Sequence, residues 1–374
     1  MSIPFIDLKS QYNENKAKFD AAIQRVLDHG QYIMGPEIEQ LESDLAQFVG
    51  VKHVVACSSG TDALVLPLMT KRLTAEDAIF TTPFTFFASA ESISLAGGTP
   101  VFVDIDPTTY NIDPIKLKAA IDQVIEGGKL KPRGIIPVDL FGIAANYDQI
   151  NAIAKEYGLF VLEDAAQSFA APYHGRRACA LADVAATSFY PAKPLGCYGD
   201  GGAVFTDDTN MYNEMLSLRV HGQGVSGDKY DNVRIGLNAR MDTIQAAILI
   251  EKLKLYESEI ILRNKVADDY SERLAERIVT PKVPAGQGSV WAQYSIQVDD
   301  RNRVRTALQN ADIPTAVFYP TPIHLSKAYA HLGYKRGDFP VAESCSTRIM
   351  SLPMHPYLDE EKIELITSTI NASI

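Results

Sequence analysis

The sequence predicts an α/β protein with a mostly parallel central sheet flanked by helices and a smaller C-terminal α+β domain. From about residue 36, short apolar runs alternate with segments of helical periodicity. That alternation is typical of parallel strands buried on both faces. After Arg240 it gives way to one long helical stretch. At 374 residues the chain has room for two domains.

The predicted elements follow in chain order. Residues 37–49 form the first clear helix, because apolar side chains recur there with a helical period. Residues 51–59 are a strand that closes on small residues, and residues 60–68 open a second helix. Residues 144–158 form an amphipathic helix between two strands. The further predicted strands are 79–84, 99–106, 133–141, 158–164 and 202–207.

The change of pattern near residue 245 predicts a domain boundary. Residues 1–245 are expected to form a large domain and residues 246–374 a small one, with residues 1 to about 30 packing against the small domain. Residues 241–276 read as a long connecting helix. In open α/β sheets, ligands bind outside the carboxyl ends of the strands, so the chemistry is expected there.

Composition excludes several function classes. The net charge of −11, without any run of Lys or Arg, disfavours nucleic acid as a partner. No apolar segment has the length of a signal core or a membrane span. The four cysteines and seven histidines show no metal-ligand spacing. We therefore expect a soluble, cytoplasmic protein with free thiols and no metal site.

Residues 58–64, SSGTDAL, are a candidate anion site. A strand that ends in small residues and enters a helix at Gly60, Thr61 and Asp62 presents free backbone N–H groups to a phosphate. An ordinary helix cap has the same composition, because Ser, Thr and Asp are preferred at that position. Taken alone, this motif favours the cap.

Residues 162–168, LEDAAQS, lie at the end of a predicted strand and place Asp164 and Gln167 at the edge where a ligand is expected. A carboxylate in such a position can keep a pyridine nitrogen protonated. An aspartate that caps a helix explains the pattern equally well.

Lys193 stands in the loop SFYPAKPLGCYGDGG, residues 188–202, between Pro191 and Pro194. A lysine fixed in a loop of glycines and prolines is a candidate reactive amine, since lysine forms Schiff bases once its pKa is lowered. In isolation, a surface lysine is the simpler interpretation. The order of anion turn, strand-end aspartate and loop lysine is the one that a pyridoxal phosphate site requires.

With these motifs, the segments TFFASAESI, RVHGQ, NARMDTIQAAIL and SLPMHPYLD resemble the DegT/StrS-type nucleotide-sugar aminotransferases. The resemblance covers essentially the whole chain. It implies the type I fold of pyridoxal-phosphate transferases and pyridoxal 5′-phosphate as cofactor, with pyridoxamine phosphate as its aminated form. It also implies glutamate as amino donor, a nucleotide-linked keto-sugar as acceptor, and a homodimer with shared active sites.

The resemblance also implies a role for each residue. Lys193 forms the Schiff base and moves protons, Asp164 pairs with the pyridine nitrogen, and Gln167 lies at the ring hydroxyl. Phe86 would stack on the pyridine ring, since stacking needs only the ring face. The implied phosphate ligands are Gly60, Thr61 and Ser188, together with Asn238 reaching across to the partner subunit's cofactor. Asp62 is a further implied cofactor-binding residue.

Substrate choice depends on three further residues. The chain resembles most the enzymes that aminate C3 of UDP-2-acetamido-2-deoxy-3-oxo-glucuronate. Arg240 carries a planar fork suited to a sugar carboxylate, although a structural salt bridge would also explain it. Tyr319 matches the family pattern, whereas Phe318 stands where these enzymes are expected to carry histidine. Alternatives are a C4 aminotransferase of a UDP- or dTDP-linked 4-keto-6-deoxy sugar and, more remotely, a non-catalytic regulatory protein.

The segment from Gly222 to Gly227 matches the GxGxxG pattern but is expected to be a loop. It lacks the preceding strand and following helix that a dinucleotide site needs. His221, in the neighbouring RVHGQ segment, could approach the site or be structural.

Overall fold

The computed structural model describes residues 3–224, 228 and 230–374. Its strands, numbered β1 to β11 in chain order, are His53–Cys57, Asp77–Thr81, Thr99–Phe102, Lys131–Ile135, Phe160–Asp164, Pro172–Tyr173, Arg176–Arg177, Val184–Ser188, Gly202–Thr206, Tyr294–Gln297 and Ile349–Leu352. Seven of them form the central sheet, in the order β1-β9-β8-β5-β4-β2-β3. From β8 to β3 every neighbouring pair is parallel, whereas β9 runs antiparallel to both β1 and β8. The predicted, mostly parallel sheet is confirmed.

Helices lie between the strands and at both ends of the described chain. The α-helices, numbered α1 to α11, are Leu8–His29, Pro36–Val49, Gly60–Thr70, Ala88–Leu95, Pro114–Gly127, Tyr147–Tyr157, Thr209–Leu218, Thr243–Arg273, Arg301–Asn310, Pro340–Arg348 and Glu360–Ser373. Among the described residues, short 3₁₀ helices cover Leu140–Gly142, Ile323–Leu325 and Lys327–Leu332. None of the described helices is long and apolar enough to cross a membrane.

Local sequence sets the helix ends. Helix α2 begins at Pro36, a position where the N–H that proline lacks would have no partner within the helix. It ends at Val49 and is followed by Gly50 in the left-handed conformation. Asp113 and Asn146 cap α5 and α6 with their side chains. The strand predicted at 99–106 is shorter in the structure and stops at Phe102. The carboxylate of Asp104 instead accepts hydrogen bonds from the first amides of α10, which ends the sheet ladder there.

A second core lies at the C-terminal end of the chain. The two-stranded antiparallel sheet of β10 and β11 packs with α9, α11 and the last turns of α8. Helix α8 contributes Leu249 and Leu253 to the main core and Val266 and Tyr270 to this second core. The predicted boundary between residues 245 and 246 falls inside α8. Ile3 packs in the second core and α1 packs along α8. The division into domains 1–245 and 246–374 stays a prediction.

Gly202, the first residue of β9, fixes how the sheet edge closes. It is in register with Cys57 of β1 and with Ser188 of β8. A Cβ on Gly202 would lie 2.3 Å from the carbonyl oxygen of Ser59 and 2.9 Å from the amide nitrogen of Gly60. Only glycine therefore allows β9 to meet the start of α3 at this distance.

We predict that Gly202→Ala lowers the free energy of unfolding by about 1–3 kcal/mol, because the new methyl group meets backbone atoms that cannot rotate away. Gly127→Ala is the matched control, since a Cβ at the last residue of α5 meets nothing within 4 Å. Urea unfolding followed by circular dichroism measures both variants. Equal stability of the two variants would contradict the predicted clash.

Candidate active site

Three of the predicted motifs, which carry Gly60, Asp164 and Lys193, meet at one edge of the central sheet. Strands β1, β5 and β8 are parallel in direction, so their carboxyl ends lie on the same side. Strand β1 leads into α3 at Gly60, β5 ends at Asp164, and β8 ends at Ser188, five residues before Lys193. The topology thus joins three motifs that are far apart in the sequence.

The turn between β1 and α3 forms an anion notch. Ser59 caps α3 by accepting a hydrogen bond from the Asp62 amide at 3.1 Å, and the Asp62 carboxylate accepts one from the Ser58 hydroxyl. The amides of Gly60 and Thr61 precede the helical ladder and meet no acceptor in the described part of the chain. Such free amides at a helix N-terminus suit a phosphate.

Ser188 forms the other wall of this notch. A Cβ on Gly60 would lie 2.6 Å from the Ser188 Cβ and 3.0 Å from its hydroxyl oxygen. The strand end and the helix start are therefore in contact, and only a glycine fits between them. Among the predicted phosphate ligands, Gly60, Thr61 and Ser188 lie together. The amide of Asp62 is occupied by Ser59, so the part that Asp62 plays in the structure is to brace the turn.

Asp164 is buried at the end of β5 and accepts two hydrogen bonds. The Ser89 hydroxyl donates to Oδ2 at 2.7 Å and the Ala166 amide donates to Oδ1 at 3.2 Å. Burial raises the pKa of Asp164, and these two donors and the charge of Lys193 act in the opposite direction. The carboxylate is thus supported as an anion inside the protein.

Lys193 is held in a tight loop. Its amide donates to the carbonyl of Tyr190 at 2.8 Å, and a Cβ on Gly196 would come within 2.7 Å of the carbonyl oxygens of Tyr190 and Pro191. Burial lowers the pKa of Lys193 to about 8, while the negative charge of Asp164 raises it. An amine with such a pKa is partly neutral near pH 7–8, as a nucleophile and proton carrier needs.

Gln167 connects the strand end to a residue far along the chain. Its Oε1 accepts a hydrogen bond from the Phe141 amide at 2.7 Å, and its Nε2 donates to the Tyr319 hydroxyl at 2.9 Å. Burial raises the pKa of Tyr319, as does the nearby charge of Asp164. Tyr319, predicted to bind substrate, therefore lies at the same edge as Asp164.

Two phenylalanines flank this tyrosine. Phe86 has 61% of its surface exposed, and its ring centre lies 6.5 Å from that of Tyr319. An exposed aromatic face next to Tyr319 suits a stacked heteroaromatic ring. Phe318 packs against Phe5 at 6.4 Å between ring centres and lies within an aromatic cluster. It offers an apolar surface in place of the histidine that the sequence comparison led us to expect.

Asn238 and Arg240 are not brought together with Lys193 within one chain. Arg240 lines a separate groove of about 690 Å³, which also includes Arg234, and none of Lys193, Asp164 and Tyr319 lines it. The Nε of Arg240 donates to Oδ1 of the exposed Asn238 at 3.0 Å. Among the described residues Arg240 forms no ion pair. The structural salt bridge considered as an alternative for Arg240 is therefore not present in that part of the chain.

The remaining motifs have no catalytic geometry. Gly222 follows α7 and not a strand, so the beginning of the GxGxxG match lacks the dinucleotide-binding context, and residues 225–227 lie outside the described residues. His221 lines the same groove as Arg240. The four cysteines are free and buried, and no three potential metal ligands cluster within the described ranges.

Sequence reasoning missed Ser89 and a buried acid pair. Ser89 lies in TFFASAES, where nothing but its nearness to Phe86 marks it. Asp139 and Glu163 are fully buried and their side chains contact each other, and burial raises the pKa of both, that of Asp139 to about 7. Glu163 directly precedes Asp164, and the Asp139 amide donates to the Asp164 carbonyl at 3.0 Å. The pair therefore braces the strand end that carries Asp164.

The sequence matches a known protein family. Residues 13–371 match the DegT/DnrJ/EryC1/StrS aminotransferase family. The chain belongs to this family.

Individual relatives are also similar over nearly the whole length of this chain. The chain is 48% identical to a UDP-2-acetamido-2-deoxy-3-oxo-D-glucuronate aminotransferase of Pseudomonas aeruginosa, over 98% of this chain and 99% of the relative. It superposes with a TM-score of 0.96 on a crystal structure of a family aminotransferase from Brucella abortus, which is 48% identical and is covered, like this chain, to 99%. A sugar aminotransferase structure from Streptococcus pneumoniae in its PLP form has a TM-score of 0.89 and 26% identity, with full coverage of both chains.

The predicted fold class, the aminotransferase activity and the pyridoxal phosphate cofactor are confirmed. The residues present fit this cofactor: free amides and the Ser188 hydroxyl for its phosphate, a buried carboxylate for its ring nitrogen, and a lysine of lowered pKa for its aldehyde. The roles of individual residues stay predictions that this geometry supports.

We predict that, in cofactor-free protein, labelling of Lys193 by a small amine-reactive reagent is half-maximal near pH 8. Asp164→Asn removes the negative charge that raises the pKa of Lys193, so its midpoint should move to lower pH. Peptide mass spectrometry after a pH series of labelling measures both. Glu156→Gln, which neutralises an exposed carboxylate paired with Lys118, should leave the midpoint unchanged. A midpoint that stays or rises in Asp164→Asn would refute the electrostatic link.

Proposed function

We propose that the protein transfers the amino group of glutamate to C3 of UDP-2-acetamido-2-deoxy-3-oxo-glucuronate. The observation that carries the amino-transfer chemistry is Lys193, with its lowered pKa, beside the buried Asp164 at the carboxyl edge of the sheet. The relative from Pseudomonas aeruginosa, whose name specifies this acceptor, supports the choice of sugar. Lys193 itself argues against a non-catalytic regulatory role.

Pyridoxal phosphate supplies an electron sink that stabilises negative charge on the carbon that loses its proton. In this chain, Lys193 Nζ accepts that proton from the α-carbon of glutamate. In the second half-reaction the same amine delivers a proton to C3 of the sugar as nitrogen is added there. One group can act in both directions because its pKa of about 8 is close to the working pH.

The other residues bind and orient. Gly60, Thr61 and Ser188 hold the phosphate through amides and a hydroxyl, and Asp164 keeps its negative charge opposite the ring nitrogen. Ser89 is an additional positioning residue, because its hydroxyl fixes the Asp164 carboxylate. Phe86 covers the ring face and excludes water from it.

Arg240 is proposed to bind the carboxylate of the uronate sugar. Its guanidinium is oriented by Asn238 and is free of ion pairs in the described part of the chain. Because Arg240 and Asn238 lie in a groove apart from Lys193, we place them in the active site of a partner subunit, which makes the enzyme a homodimer with shared sites. Tyr319, held by Gln167, contacts the sugar from the chain that carries Lys193. Phe318 adds an apolar wall.

A C4 aminotransferase of a UDP- or dTDP-linked 4-keto-6-deoxy sugar is the rival within the same family. Such a sugar has no carboxylate, so it would leave the Arg240 guanidinium without its proposed ligand. Cytoplasmic location and a role in surface-polysaccharide biosynthesis, such as that of O-antigen, are predictions that follow from the proposed substrate.

We predict that purified protein loaded with pyridoxal phosphate has a visible absorption band that glutamate removes. Lys193→Ala should still bind the cofactor noncovalently but lose at least about 1,000-fold in turnover, because the proton carrier is gone. Spectrophotometry and product analysis with a panel of UDP- and dTDP-keto-sugars measure this. Full turnover by Lys193→Ala, or a protein that cannot be reconstituted, would exclude the proposed chemistry.

We predict that Arg240→Ala lowers kcat/KM for the 3-oxo-uronate about 10- to 100-fold, the value of one charged hydrogen-bond contact. Arg240→Lys should retain part of the rate, because it keeps the charge and loses the planar fork. The same variants assayed with a 4-keto-6-deoxy sugar serve as control. If wild type prefers the 4-keto-6-deoxy sugar and Arg240→Ala spares it, the rival function is correct.

A further inference from the structure

Lys252 is a buried amine that the proposed mechanism does not use. It lies on α8 with only 3% of its surface exposed. Within the described residues its Nζ forms no hydrogen bond and no ion pair of 4.0 Å or less. Burial lowers the pKa of Lys252 to about 8, and the charge of Glu259 acts in the opposite direction. A buried cation without a hydrogen-bonded partner needs another source of stabilisation.

The face of an aromatic ring provides it. Lys252 Nζ lies 4.3 Å from the centre of the Tyr198 ring, within the range of a cation–π interaction. Such contacts are strongest when the cation is removed from water. The Glu259 carboxylate attracts the charge of Lys252 but forms no ion pair with it among the described residues, and its two oxygens accept hydrogen bonds from Gln11 and Tyr357.

Tyr198 lies in the loop that carries Lys193, five residues after it. Its amide donates to Gln245 of α8 at 2.8 Å, and its ring packs edge-on against Phe19 of α1 at 5.7 Å. Between Lys193 and Tyr198, the Cys197 amide donates to the Phe189 carbonyl at 2.8 Å. The loop is therefore anchored by α8 and α1 at the point where Lys252 contacts it.

A small cavity adjoins this contact and connects it to Lys193. Its volume is about 20 Å³, room for a single water molecule. Its lining includes Lys193 and Gly196 of the loop, Lys252 and Glu259 of α8, Gln11 of α1, and His355. Both ring nitrogens of the buried His355 lack a partner in the described structure.

We propose that Lys252 is a positioning residue for amino transfer, whose ammonium group holds the Tyr198 ring and thereby fixes the loop that carries Lys193. This inference rests on the proposed function of Lys193. It adds a requirement at a distance from the substrate: a positive charge at position 252, in contact with the Tyr198 ring. Lys252 touches neither substrate nor cofactor in this scheme.

Hydrogen exchange of the backbone amides in residues 189–201 tests the proposal in the full-length enzyme loaded with pyridoxal phosphate. Lys252→Met keeps the aliphatic stem and removes the charge, so exchange in this loop should become about 30-fold faster. Lys252→Arg should exchange like wild type, because a guanidinium also stacks on an aromatic face. Lys254→Met is the matched control, since Lys254 lies two residues along α8, is exposed and pairs with Glu251.

Turnover provides a second readout. In Lys252→Met, kcat with glutamate should fall about tenfold or more while KM changes little, because the amine is misplaced and the substrate sites are intact. Lys252→Arg should recover kcat. Hydrogen exchange does not depend on which sugar is used, so a wrong substrate assignment would not affect that result.

Loop-specific acceleration in Lys252→Met that is reversed in Lys252→Arg supports the proposal. Unchanged exchange in Lys252→Met overturns it, and so does acceleration spread evenly over all helices and strands, which would indicate a general loss of stability. If Lys252→Met does not yield folded protein, Tyr198→Leu removes the other partner of the contact. Faster exchange of the loop in that variant supports the proposal, and exchange at the wild-type rate overturns it.

Discussion

The close approach of Gly202 to Ser59 is the constraint on which the rest of the site depends. Because β9 runs antiparallel between β1 and β8, its first residue is in register with the last residue of each. That register places the start of α3 against Ser188 and sets where the chain leaves β8 toward Lys193. A side chain at position 202 would separate the phosphate notch from the lysine loop. The parallel strands bring their carboxyl ends to one edge of the sheet. The antiparallel strand β9 holds the ends of β1 and β8 together at that edge.

Burial then gives the site its chemistry. Lys193 and Asp164 are two opposite charges withdrawn from water. Desolvation lowers the pKa of Lys193 and raises that of Asp164, because it favours the neutral form of each. Their mutual attraction and the donors from Ser89 and Ala166 limit those shifts. The result is an amine that can lose a proton near neutral pH, near a carboxylate whose charge is favoured by Lys193, Ser89 and Ala166. Neither property belongs to either residue in isolation.

The sequence predicted the parts of this arrangement that depend on periodicity and order along the chain. The anion turn at Gly60 and Asp164 were predicted because each follows a predicted strand, and strand ends share one edge. Lys193 was predicted from its loop of glycines and prolines, whereas β8, the strand before it, was not predicted. Ser89 was not, since a serine in a helix carries no signal until the fold brings it to Asp164. The link from Gln167 to Tyr319 spans 152 residues and depends on tertiary packing alone. The sequence marked Phe318 as a departure from an expected histidine, and the structure shows that it packs in an aromatic cluster.

Helix α8 affects how the protein unfolds. Its first half buries Leu249 and Leu253 in the main core, and its second half buries Val266 and Tyr270 in the other. A continuous helix of 31 residues cannot melt at one end without removing apolar surface from the neighbouring core. We therefore expect the unfolding of the two cores to be coupled through α8. The amine at Lys193 keeps its environment for as long as that whole unit stays intact.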